Sequence, residues 1–103
     1  MTAEPQESGP IDADGVLELG VVVPNKAGLH ARSAAALIRE AARFQSTVTL
    51  HAAGESARTR SLTELLRLSA RQGDTIRIRA AGDDARAALS AIQALIERGF
   101  GEE

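Results

Sequence analysis

A chain of 103 residues is long enough for one domain with its own core, and an apolar content of 44%, mostly Ala, Leu, Ile and Val, can fill it. A net charge of −2 and only two aromatic residues, Phe44 and Phe100, argue against a base-stacking nucleic-acid platform and against bulk attraction to nucleic acid or acidic lipid. There is no cysteine, and His30 and His51 stand outside any ligand cluster, so neither thiol chemistry nor a metal or cofactor is expected. No apolar run approaches the ~20 residues of a membrane span. The acidic N-terminus lacks the pattern of a signal peptide, and a soluble cytoplasmic protein is the expectation.

Residues 1–15 carry Glu4, Glu7, Asp12, Asp14, Pro5 and Pro10 and no basic side chain. Such a composition offers too little apolar surface to offset its ordering entropy, so a disordered acidic tail is expected, with the domain spanning 16–103. From Val16 to Val23 the apolar Leu17, Leu19, Val21 and Val23 alternate with a mixed face, the pattern of a strand packed on one side. Pro24 and Asn25 end it. A helix over Ala31–Arg43 follows, its stripe being Ala34, Leu37, Ile38, Ala41 and Ala42, with Phe44 closing its end.

Ser46–Ala52 alternates again, with Val48, Leu50 and Ala52 inward. Ala53-Gly54-Glu55 then turns the chain into a short strand over Ser56–Arg60. Ser61–Ala70 reads as a second helix, with Ser61 as N-cap and Glu64 completing a capping box. Of its leucines, two of Leu62, Leu65 and Leu66 are expected in the core. Thr75–Ala80 forms a strand that points Ile76, Ile78 and Ala80 inward; Arg77, Arg79 and His51 are expected on a solvated face, His51 without a partner. Asp83 and Asp84 open the last helix at its positive end, and Gly99 stops it. The order β-α-β-β-α-β-α, with strands apolar on one face, predicts an α+β fold: a four-stranded antiparallel sheet covered by three helices on one face, the other face wet.

The stretch Pro24–Ala36 carries the functional signal. Gly28 can bring the chain sharply round into the first helix, whose opening turn at Ala31, Arg32 and Ser33 has backbone N–H groups suited to an anion. His30 there can attack phosphorus as a neutral imidazole, and Arg32 offers a planar fork of donors to phosphate oxygens. Taken alone, a histidine at a helix start in a glycine-containing loop is more often a cap or a solvated side chain than a catalytic group.

Gly28-Leu29-His30-Ala31-Arg32-Ser33-Ala34 resembles the active-site signature of the HPr family, the histidine-containing phosphocarriers of the bacterial sugar phosphotransferase system: Gly-Leu-His-x-Arg-Pro-Ala. The resemblance runs from Val16 to about Arg98, and Ala53-Gly54 with Arg60-Ser61-Leu62 falls at the family's second signature. It implies the family's open-faced β-sandwich, with His30 phosphorylated on Nδ1 by Enzyme I at the expense of phosphoenolpyruvate. It implies Arg32 as the phosphate-facing partner and Enzyme IIA-type proteins as acceptors in sugar uptake. The protein would be a carrier without turnover of its own, and a monomer.

It also implies Leu62 and Leu66 as docking residues, and Ser61 as a regulatory phosphorylation site for an HPr kinase/phosphorylase, with Arg58 and Arg60 nearby and a transcription regulator as partner. The family's proline is Ser33 here, which restores an N–H and is expected to loosen the helix start. That departure keeps open a paralogue serving nitrogen regulation or a dihydroxyacetone kinase. A non-catalytic regulatory module acting through Ser61 is a rival of a different class, and a small-molecule-binding domain of ferredoxin-like type is a third.

Overall fold

A computed structural model describes residues 16–101, so the expected acidic tail lies outside the described residues. Four strands, β1 (Val16–Val22), β2 (Thr47–Ala52), β3 (Glu55–Arg58) and β4 (Thr75–Ala81), alternate with three helices, α1 (Ala31–Ala41), α2 (Leu62–Arg67) and α3 (Ala85–Glu97). All strand pairs are antiparallel, in the order β1-β4-β2-β3. The α+β architecture expected from the strand and helix periods is the one observed.

Register explains the core. Ile78 of β4 lies between Leu19 of β1 and Leu50 of β2, and Ala80 lies between Leu17 and Val48. A one-residue slip would turn every one of these to water, so the apolar alternation fixes the pairing. The helices cover this face with Leu37, Leu65, Leu89, Ile92 and Ile96, all essentially inaccessible. Leu19 is half-buried and packs at the margin of this core, between the buried Leu17 and Val21 of the same strand.

The boundaries depart from the expected ones where local chemistry intervenes. Helix α1 stops at Ala41, so Ala42 and Arg43 lie beyond it and are exposed, while Ser33 joins the buried face. The β2–β3 turn needs only Ala53 and Gly54, both at positive φ (52° and 82°), and Glu55 already pairs with Ala52. Two consecutive left-handed residues give the twist that suits a two-residue hairpin.

Helix α2 is shorter than Ser61–Ala70, because Ser69 takes φ +52° directly after the Leu68 cap. Asp84 is the N-cap of α3 but makes no side-chain cap hydrogen bond to it. Its carboxylate instead accepts the N–H groups of Gln45 (2.9 Å) and Ser46 (2.8 Å), tying the start of α3 to the loop before β2. Gly99 ends α3 at φ +66°, as expected.

The outer face of the sheet is more organised than a solvated surface. Arg77 pairs with Glu18 at 3.1 Å, and His51 has a partner after all: its Nε2 lies 3.0 Å from Thr49 Oγ1. Burial, and then the nearby positive charge of Arg79, hold the His51 pKa below its usual value.

Candidate functional site

The loop before α1 is held from below by the α2–β4 connection. Val23 N–H donates to Asp74 O, Gly73 N–H to Val23 O, and Leu29 N–H to Ala70 O, each at 2.9 Å. Gln72 Nε2 donates to Pro24 O at 2.9 Å. Within the loop, Asn25 Nδ2 donates to Gly28 O at 3.0 Å. Gly28 has φ +67°, and a Cβ there would lie 2.5 Å from Ala70 O and 2.9 Å from Arg71 Cα. Glycine is therefore required at this position by both conformation and space. Burial of Leu29 beside it anchors the loop in the core and leaves the next residue, His30, half-buried at the surface.

His30 is the N-cap of α1, with extended backbone (φ −143°, ψ −174°). Its Nδ1 accepts the backbone N–H of Arg32 at 3.1 Å, and its ring also accepts from the backbone N–H of Ser33. Of the first-turn N–H groups that the sequence offers to an anion, those of Arg32 and Ser33 already converge on the imidazole. An accepting Nδ1 assigns the ring proton of the neutral form to Nε2 and puts the lone pair at the positive end of the helix. The cap that the sequence offered as the rival reading is made by Nδ1, the nitrogen that the resemblance implies for phosphorylation.

Ser33 corrects a second expectation. The sequence predicts a loosened helix start, yet Ser33 is 1% exposed and fully engaged. Its Oγ accepts the backbone N–H of His30 at 2.8 Å and has two carbonyl acceptors for its single proton, Gly28 O at 3.1 Å and His30 O at 3.2 Å. The side chain therefore closes a reciprocal capping box around His30.

Beside the ring is an open depression lined by Ala27, His30, Arg32, Ala36, Arg39, Phe100 and Gly101. It brings together His30 and Arg32, which the sequence singled out. Arg39 was missed, although the i, i+4, i+7 spacing of Arg32, Ala36 and Arg39 places all three on one helix face. Phe100 is buried and adopts φ +62° just past the end of α3, an arrangement no pattern in the sequence signals.

Helix α2 leads directly into the connection that holds this loop. Ser61 is the N-cap: its hydroxyl accepts Glu64 N–H at 3.1 Å. The expected return bond from Glu64 is not made, because its carboxylate turns instead to Arg58. It accepts the Arg58 backbone N–H at 2.8 Å and Arg58 Nε at 3.0 and 3.1 Å. Ser61 N–H donates to Arg58 O at 3.1 Å. Arg58 is thereby committed to Glu64, while Arg60 is exposed. Only Leu65 of the three leucines is in the core; Leu62 and Leu66 are 43% and 39% exposed, so the expectation of two buried leucines fails.

Comparison with known proteins gives this geometry a lineage. Residues 17–98 match the family model described as the HPr component phosphorylation site of the phosphotransferase system. The chain belongs to the HPr family of phosphocarriers. It is 39% identical over 88 residues to the phosphocarrier protein HPr of Xylella fastidiosa, covering 85% of this chain and 99% of that one. Among solved structures it resembles an HPr of Thermoanaerobacter tengcongensis, with a TM-score of 0.78, 35% identity, and coverage of 84% of this chain and 97% of the other. An HPr of Bacillus anthracis aligns with a TM-score of 0.75 at 32% identity, covering 79% and 96% of the two chains. The fold is therefore that of the HPr open-faced sandwich, and a phosphocarrier role in the phosphotransferase system follows from the family.

Proposed function

We propose that the chain accepts a phosphoryl group on His30 Nδ1 from Enzyme I, charged in turn by phosphoenolpyruvate, and passes it to Enzyme IIA-type acceptors for sugar uptake. The observation that carries this reading is the Nδ1 lone pair held at the N-terminus of α1 by the backbone N–H of Arg32. An imidazole presented this way has its tautomer defined, with the lone pair on Nδ1, as a nucleophile for phosphorus requires. The helix end and the Arg32 guanidinium then favour the dianionic product without enclosing it, and the group stays available for onward transfer.

Docking falls to the exposed pair Leu62 and Leu66 on α2, with the arginines Arg32 and Arg39 offering positive charge to an acidic partner surface. The protein acts as a monomeric cytoplasmic carrier and gains no turnover of its own. Transfer is tested by loading the protein from Enzyme I and phosphoenolpyruvate, removing Enzyme I, and adding purified IIA-type proteins. Label passing to a sugar-specific IIA supports the reading. Label that passes only to a nitrogen-regulatory IIA or to a dihydroxyacetone kinase component assigns the chain to a paralogous branch.

A second reading concerns Ser61. Ser61 is half-buried directly before exposed Leu62, so phosphorylation by an HPr kinase/phosphorylase would place ~−1.5 to −2 charge beside the docking patch. That would weaken docking of Enzyme I and offer a charged surface to a transcription regulator.

A further inference from the structure

Among the described residues, Ser33, Ser46 and Thr59 are the buried polar side chains. Ser46 is tied to Asp84, and Thr59 Oγ1 donates to Val48 O at 3.0 Å; both secure the sheet. Ser33 alone spends its hydroxyl on the His30 loop, and its backbone N–H points at the His30 ring. The family signature has proline here, which possesses neither group.

We propose that Ser33 is a positioning residue for the phosphoryl group: its backbone N–H, with that of Arg32, binds the phosphoryl oxygens on His30, and its hydroxyl fixes the His30 backbone beneath them. The inference rests on the phosphocarrier reading of His30. In the transfer, the Nδ1 lone pair attacks phosphorus, the new N–P bond forms as the bond to the donor breaks, and the donor departs with the bonding electron pair. The ring, carrying a proton on Nε2, is a cation until that proton passes to solvent. Phosphorus then occupies the point at which the two N–H groups converge, so its oxygens replace the lone pair as their acceptor. The Ser33 hydroxyl bonds only to backbone and stays in place throughout.

Two measurements separate this inference from the choice of donor. In the first, the full chain is phosphorylated chemically with phosphoramidate, which needs no Enzyme I, and amide resonances are followed with and without the group. The amide protons of Ser33 and Arg32 should both move strongly downfield; an unmoved Ser33 amide overturns the proposal.

In the second, wild type and variant compete for phosphoryl groups through catalytic Enzyme I, and the partition is read by mass spectrometry. Ser33→Pro removes the N–H at a first-turn position where proline is tolerated, and should hold the group about tenfold less well, the worth of one charge-assisted hydrogen bond. Ser33→Ala keeps the N–H and should partition within about twofold of wild type while accepting the group more slowly, by about fivefold for a lost backbone clasp. Equal partition of Ser33→Pro and wild type, or an alanine variant as impaired as the proline one, overturns the role of the N–H. Should Ser33→Pro not fold, the amide shift in the wild type decides alone. If Enzyme I does not load the wild type, the donor assignment fails and the phosphoramidate measurement still decides the role of Ser33.

Discussion

The carboxylate of Glu64 bonds both the backbone N–H and the guanidinium of Arg58, leaving the N-cap of its own helix to the hydroxyl of Ser61 alone. The pair joins the end of β3 to the start of α2, spanning the segment that carries Ser61 and Leu62. The Arg58 hydrogen bonds hold the Glu64 pKa down at about 2, from an ordinary 4.5.

A folded pKa below the unfolded one means that the ionised carboxylate favours the folded state. Its contribution is fully present above the ordinary carboxylate range and is lost as pH falls towards about 2. Titration of the Glu64 side-chain carbon by NMR should give a midpoint near that value, and Arg58→Gln should return it to the normal glutamate range. A normal midpoint in the wild type contradicts the pairing.

Gly28→Ala should be among the most damaging substitutions outside the core. The new Cβ meets backbone atoms of Ala70 and Arg71 on a residue already at φ +67°, and neither neighbour is a side chain that can swing away. A loss of about 2–4 kcal/mol in unfolding free energy is expected, combining left-handed strain with a backbone clash. Denaturant unfolding measures it, and phosphoryl acceptance should fall with the displaced loop.

The three leucines of α2 should separate stability from docking. Leu65→Ala, at a fully buried site, should cost about 2–5 kcal/mol. Leu62→Ala and Leu66→Ala should change stability by no more than about 0.5 kcal/mol. Titration calorimetry with Enzyme I should nonetheless show weaker binding for Leu62→Ala. Unchanged affinity in both exposed variants removes this patch from the docking surface.

The fold was largely legible because each strand is apolar on one face, and alternation with one turn-rich hairpin leaves few ways to bury it. Element ends were less legible. Glu64 and Asp84 both sit at the start of a helix, and both direct their carboxylates to partners outside it. Such competition is decided by tertiary geometry, which spacing along the chain does not encode. The leucines of α2 misled for a similar reason: six helical residues bury little more than one turn, so among the described residues none covers Leu62 and Leu66. At the site, the placing of His30 and Arg32 at the loop-to-helix transition was readable from the pattern, and the roles expected of them came from the family resemblance. The role of Ser33 was not, since only its burial and its three oxygen and nitrogen neighbours show that it clasps the loop.

The function proposed for this chain stands on phosphorylation at His30 Nδ1. Incubation with Enzyme I and phosphoenolpyruvate, followed by intact-mass analysis and phosphorus NMR, tests it most directly. The expected result is a gain of one phosphate that is acid-labile, couples to the His30 ring at Nδ1, and is absent from His30→Ala. No gain, a gain on another residue, or a gain that survives His30→Ala would contradict it.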